Sequence, residues 1–179
     1  TQDYHRPMRT LFVTDPPPPV EDWLARRRAL GQDRFDEVWE GEYHVAPAPS
    51  GKHGRVDDEV GGVLRPLAMR AGLRGTTACN IGGPDDYRVP DRAWFRTGGL
   101  DVWNPTAAIV AEIVSPGDES RRKSAFYHRA GVEEVLIVDP DARTVEWFVR
   151  GDEAFLPAER SALLGISAAH LAAAIDWPG

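Results

Sequence analysis

The sequence holds a single cysteine among 179 residues, so Cys79 has no partner for an internal disulfide and the disulfide-stapled secreted scaffolds are excluded. With no second thiol and no activating base nearby in sequence, Cys79 reads as a buried, inert thiol. No apolar run approaches the roughly 20 residues that span a bilayer, and no apolar stretch behind a basic start marks a secretory signal. The expectation is a cytoplasmic chain without membrane contact. Positive charge is also short, since 21 Lys plus Arg stand against 28 Asp plus Glu and leave a net charge of −7. Proteins that hold nucleic acid tightly are usually basic, so a polyanionic partner here needs a local basic patch or a bound metal. His5, His44, His128 and His170 lack ligand-like spacing, which argues against zinc. Pro49-Ser50-Gly51-Lys52 has Ala46 where a phosphate loop needs its first glycine.

What remains is the composition of one globular domain, 42% hydrophobic and 27% charged. The run Pro16 to Pro19 lacks amide hydrogens and predicts an extended leader over 1–19, ahead of a single domain over 20–179. Val20, Trp23, Leu24 and Ala25, opposite Arg26, Arg27 and Arg28, predict a short amphipathic helix that stops at Gly31. Val38, Trp39, Tyr43 and Val45 around Glu40-Gly41-Glu42 predict a hairpin. Val56, Val60, Val63, Leu64, Leu67, Ala68 and Ala71 share one helical face, which makes 51–71 the main core helix with Gly72 as its stop. Residues 76–81 and 87–95 read as strands broken by Gly82-Gly83-Pro84-Asp85. Residues 106–114 are apolar on both faces, as in a strand covered on both sides. The turn Ser115-Pro116-Gly117-Asp118 leads into a helix over 119–130, with Ser115 helping to cap it. Two strands over 134–139 and 144–149 and a helix over 167–175 complete the chain. The pattern predicts an α/β (α+β) architecture, a mixed central sheet flanked by helices with an N-terminal helix and hairpin.

One residue breaks the apolar strand. A carboxylate at Glu112 carries a large desolvation cost unless it is ion-paired, protonated or bound to a cation. Position alone leaves two readings open, a structural ion pair and a metal or catalytic group. Lys123 lies 11 residues later on the following helix, with Tyr127 one turn on and on the same face. Asp91 follows Val89-Pro90 in a strand 21 residues before Glu112. Two carboxylates on neighbouring strands offer the hard oxygens Mg²⁺ prefers, and a lysine beside them neutralises phosphate charge or orients water. The set matches metal-assisted phosphodiester hydrolysis. Taken singly, Asp91 also suits a turn cap, Lys123 a solvated helix position, and Tyr127 the edge of the core.

Arg88-Val89-Pro90-Asp91, Ala111-Glu112-Ile113-Val114-Ser115-Pro116, Lys123 with Tyr127, and the segment from Gly131 to Pro140 resemble the large bacterial "putative restriction endonuclease" family, once catalogued as a domain of unknown function. Upstream, the segment from Glu37 to Glu42, then Pro47-Ala48-Pro49-Ser50 and His53, is similar to that family's opening hairpin and helix. The resemblance runs over residues 20–175. It implies a restriction-endonuclease-like PD-(D/E)XK core and a divalent-metal-dependent endonuclease acting on nucleic acid, with DNA as the first candidate. Asp91 and Glu112 would hold Mg²⁺ or Mn²⁺, with the Ile113 carbonyl as a further ligand. The motif's usual lysine position, two residues after the second acid, is Val114 here, so the resemblance assigns the lysine to Lys123. Glu37, favoured over Glu42, would complete the site, with Tyr127 and His53 as accessory residues. Arg26 to Arg28, or Arg121, Arg122 and Arg129, would meet phosphates. Cutting both strands of a duplex is simplest for a homodimer. The rival expectations are a non-catalytic nuclease-fold binding or regulatory module that keeps its acids for stability, and a metal site acting on another phosphoester.

Overall fold

The computed structural model describes residues 12–13, 18–46, 48–99, 101–115 and 119–178. Most of the expected leader, residue 47 and the turn residues 116–118 lie outside the described residues. Of the leader, Phe12–Val13 forms β1, and Pro18 and Pro19 open α1 (Pro18–Ala29) instead of preceding it. Their missing amide hydrogens cost nothing in a first turn, where those groups have no helical partner.

The hairpin forms as β2 (Glu37–Trp39) and β3 (Glu42–His44). Its two turn residues are both left-handed, Glu40 at φ 51° and Gly41 at φ 90°, as a tight two-residue hairpin requires. Ser50 caps α2 (Gly51–Arg70) by accepting the His53 N–H. Val56, Val60, Leu64 and Ala68 are its buried stripe, each large apolar side chain adding about 1.5–3 kcal/mol of burial. Pro66 removes one helical hydrogen bond, but the Gly62 carbonyl it would have joined lies on an exposed residue.

The two strands expected between residues 76 and 95 are four: β4 (Arg74–Thr77), β5 (Asn80–Gly83), β6 (Asp86–Arg88) and β7 (Arg92–Phe95). The breaks fall at Ala78, left-handed at φ 49°, and at Val89-Pro90-Asp91, where proline cannot donate to a ladder. At each break the chain passes between two sheets, so the fold contains a second sheet beside the central one. After β8 (Trp103–Asn104) and β9 (Ile109–Ile113), the expected helix forms as a 3₁₀ turn (Ser120–Lys123) running into α3 (Ser124–Arg129). The chain ends with β10 (Glu134–Asp139), β11 (Thr144–Arg150), β12 (Phe155–Ala158) and α4 (Ala168–Ala174).

One sheet is ordered β1-β3-β2-β6-β5-β8 and the other β12-β11-β10-β9-β7-β4. In the second, β9 and β10 are parallel and the other pairs antiparallel, which makes the central sheet mixed. Alternation assigns its two faces. Ile109, Ala111 and Ile113 pack with the α2 stripe and Leu171 of α4, whereas Val110 packs with Phe126 and Tyr127 of α3 and with Ile81 of the first sheet. Cys79 joins this second cluster, and burial pushes its thiol up to about 11, so the inert reading holds.

Candidate active site

Glu112 has the parity of Val110, so it points from the fully buried β9 toward α3, where it is 2% exposed. Its Oε2 pairs with Lys123 Nζ at 3.0 Å, and its Oε1 accepts a short hydrogen bond from the Tyr127 hydroxyl. Lys123 Nζ also lies 2.8 Å from Glu37 Oε1. Glu37, itself 5% exposed, accepts the Val89 N–H at 2.8 Å and the Trp39 Nε1–H at 2.6 Å. One lysine therefore bridges carboxylates from both sheets.

Asp91 sits in the crossing between the sheets rather than in a strand. Because β7 and β9 are antiparallel with Arg92 opposite Ala111, Asp91 falls opposite Glu112, one step past the last pair. Its Oδ2 accepts the Ile113 N–H at 2.7 Å, and its Oδ1 lies 2.8 Å from His53 Nε2. On the other side of that ring, His53 Nδ1 is 3.1 Å from Ser115 Oγ. The first turn of α2 thus orients one acid while the 3₁₀ turn and α3 hold the other two.

Burial, followed by the charges of Asp91 and Glu37, pushes the Glu112 carboxyl up to about 8 in spite of Lys123. Burial opposes the charge on Lys123 as well, but Glu112 and Glu37 outweigh it and hold the ammonium above its ordinary range. Tyr127 is raised, first by burial and then by Glu112, and stays a hydrogen-bond donor. Three carboxylates share one ammonium and one imidazole, so the cluster is short of positive charge. Among the described residues no three His, Cys, Asp or Glu side chains form a ready metal cage. The donor set still fits a hard divalent cation: two adjacent carboxylates and a neighbouring backbone carbonyl, with the remaining positions left to water and phosphate, is the habit of Mg²⁺.

Glu37, Asp91, Glu112, Lys123, Tyr127 and His53 come together. Glu42 does not; it lines a separate cavity of about 330 Å³ with Trp39, His44, Arg88, Arg122 and Arg129. Of the arginines expected to meet phosphate, Arg121 is ion-paired to Glu146 at 2.5 Å, Arg122 to Glu119, and Arg129 to Glu40 at 3.1 Å, whereas Arg26 and Arg28 are exposed. Arg27 is tied to Asp36 at 2.9 Å. The sequence reading missed Trp39, though two residues along one strand share a face and Glu37 and Trp39 stand at that spacing. It also gave Ser115 to a helix cap, whereas the residue before the 3₁₀ turn is Glu119 and Ser115 Oγ meets His53. That contact is 62 positions distant in sequence and left no local signal.

A mixed central sheet with α2 and α4 on one face and α3 on the other is the arrangement of the restriction-endonuclease-like class of fold. The chain belongs to the Uma2 family, described as "putative restriction endonuclease", whose family model matches residues 21–170. A crystal structure of a putative nuclease belonging to DUF820 from Anabaena variabilis is similar in fold, with a TM-score of 0.62 over 78% of this chain and 90% of that one at 18% identity. No curated protein matches the chain. Family membership supports nuclease function in general terms. No helix among the described residues is long and apolar enough to cross a membrane.

Proposed function

We propose that the protein is a divalent-metal-dependent endonuclease that hydrolyses phosphodiester bonds in nucleic acid, with DNA as the first candidate substrate. The observation that carries this reading is the convergence of Glu37, Asp91 and Glu112 from three separate elements on a centre where Lys123 is the permanent cation among the described residues. Asp91 and Glu112, with the Ile113 carbonyl, would hold Mg²⁺ or Mn²⁺. The ion, when bound, supplies Lewis acidity to the phosphoryl group and the positive charge the cluster lacks. Lys123 neutralises charge on the phosphate and orients the attacking water. Tyr127 and Trp39 fix Glu112 and Glu37 through their hydrogen bonds, and His53 with Ser115 aims Asp91.

A second reading has an observation of its own. Every acid of the centre already has an internal partner, as expected of a nuclease-fold module that keeps its acids for stability. The two readings separate in one experiment, cleavage of single-stranded DNA, duplex DNA and RNA with Mg²⁺, Mn²⁺ or EDTA, beside calorimetric metal titration of wild type, Asp91→Asn and Glu112→Gln. Metal-dependent cleavage and metal heat lost in both variants support the nuclease. Full cleavage by Glu112→Gln overturns the assigned site, and absence of both signals in wild type leaves the binding module.

A further inference from the structure

A second cavity, of about 510 Å³, lies between the C-terminal half of α2 and the edge strand β4. Its lining contains Arg65, Arg74 and Arg92 and no carboxylate. Arg92 is held by Asp57, with Nη2 2.9 Å from Oδ2. Arg65 and Arg74 are exposed and make no ion pair among the described residues; Arg74 reaches only the Leu73 carbonyl, at 3.2 Å. The other cavity has as many arginines, but Glu40 and Glu42 line it with them. In a chain of net charge −7, an acid-free pocket with two unmatched guanidiniums is the local basic patch that a polyanion needs.

The room itself depends on two glycines. A Cβ at Gly61 would meet Arg92 Cζ at 2.4 Å, and one at Gly75 would meet Trp94 Nε1 at 2.7 Å. The floor is apolar, with Leu73 and Trp94 buried and Met69 56% exposed at the rim. One ridge of α2 runs from the acid centre to the groove. His53, Asp57, Gly61, Arg65 and Met69 recur every four residues as one ridge that winds round α2 by about 40° per step. His53 holds Asp91, Asp57 holds the adjacent Arg92, and Arg65 and Met69 line the cavity. From His53 to Arg65 this track is about 18 Å long at the helical rise.

We propose that the α2–β4 groove binds a single-stranded segment of nucleic acid and leads it to the Asp91–Glu112 centre. Arg65 and Arg74 meet its phosphates, and the exposed Met69 at the rim meets its bases. A basic groove that tracks the phosphates beside an apolar surface for the bases is how single strands are held without sequence reading. DNA and RNA share the phosphate chemistry concerned. The proposal rests on the nuclease reading only for where the strand is led.

The test is fluorescence anisotropy with labelled 12-nucleotide single-stranded DNA, single-stranded RNA and the matching DNA duplex, in EDTA so that nothing is cut, from low to moderate salt. Wild type should prefer a single strand, and which of DNA and RNA binds tighter identifies the source. Arg65→Glu with Arg74→Glu should weaken binding at least tenfold and lower the salt slope by about 1.4 or more, the share of two phosphate contacts on a single strand. Unchanged melting temperature shows that the double variant folds, and Arg65→Gln with Arg74→Gln should give a smaller loss in the same direction. Wild-type binding by the double variant overturns the groove, as does preference for the duplex, no binding at low salt, or loss only in Arg122→Glu with Arg129→Glu. Groove-dependent binding with no cleavage under any metal supports the groove while sinking the nuclease reading, and cleavage indifferent to the groove variants does the reverse.

Discussion

The Asp91 carboxylate accepts the Ile113 N–H at 2.7 Å, so the acid in the crossing between the sheets is tied to the residue next to Glu112. That bond fixes the distance between the two acids through the backbone of β9 instead of through flexible side chains. Asp91→Ala leaves the Ile113 N–H and His53 without their acceptor and should cost about 1–3 kcal/mol of stability. Asp91→Asn keeps an oxygen for Ile113 and turns an amide N–H toward His53, so it should cost less than about 1 kcal/mol. Urea unfolding midpoints of the two variants check this, and equal losses would mean that the bond is not what holds Asp91.

Lys123 is the hub of the cluster, since it joins Glu37 of the first sheet to Glu112 of the second. Above about pH 8, where Glu112 is ionised, Lys123→Met leaves two buried carboxylates without a cation and should destabilise by about 3–5 kcal/mol. Adding Glu112→Gln to Lys123→Met removes one orphaned charge, so the double variant should be more stable than the sum of the single losses predicts. A double-mutant cycle in urea measures that coupling, and strict additivity would deny the bridge.

The pH dependence of stability has a sign set by Glu112. Its carboxyl is raised from the ordinary range to about 8 by burial and by the neighbouring acids, so the folded state binds this proton more tightly than the unfolded chain. The stability it contributes is fully present below the ordinary carboxylate pKa and is lost as pH rises through about 8. His44 slopes the other way, because burial lowers it to about 4 and its contribution is lost as pH falls from its ordinary value toward that point. The difference between wild type and Glu112→Gln isolates the first effect. In EDTA the melting temperature of wild type should fall relative to Glu112→Gln between pH 5 and 8. Parallel curves would show that Glu112 is ionised throughout.

Much of this centre was legible in the sequence because it rests on local patterns. Glu112 stood out as the one charge in an apolar strand, and Lys123 and Tyr127 followed at helical spacing on the next element. The core face of α2 was readable from periodicity down to its glycine stop. What was hidden depends on long-range geometry. The split of residues 76–95 into four strands follows from a second sheet, which no single segment encodes. The His53 and Ser115 contacts, and the ion pairs that engage Arg121 and Arg129, join residues far apart in sequence. The same holds for the groove, whose free arginines come from α2 and β4 and looked like scattered surface charge.

Gly61 and Gly62 are neighbours on α2 with opposite roles. Gly62 is exposed with nothing within 4 Å of a built Cβ, so Gly62→Ala should gain about 0.5–1 kcal/mol from helix propensity alone. A Cβ at Gly61 would meet the Arg92 guanidinium at 2.4 Å, and that group cannot swing aside freely because Asp57 holds it through both Nε and Nη2. Gly61→Ala should therefore lose about 1–3 kcal/mol to overpacking, before the propensity gain is set against it. Arg92 directly follows Asp91, so a displaced guanidinium pulls on the bend that carries the acid, and Gly61→Ala should weaken metal binding while Gly62→Ala leaves it unchanged. Thermal melts and calorimetric metal titration of the two alanine variants decide the matter, and a stabilised Gly61→Ala with wild-type metal affinity would show that Arg92 is free to move.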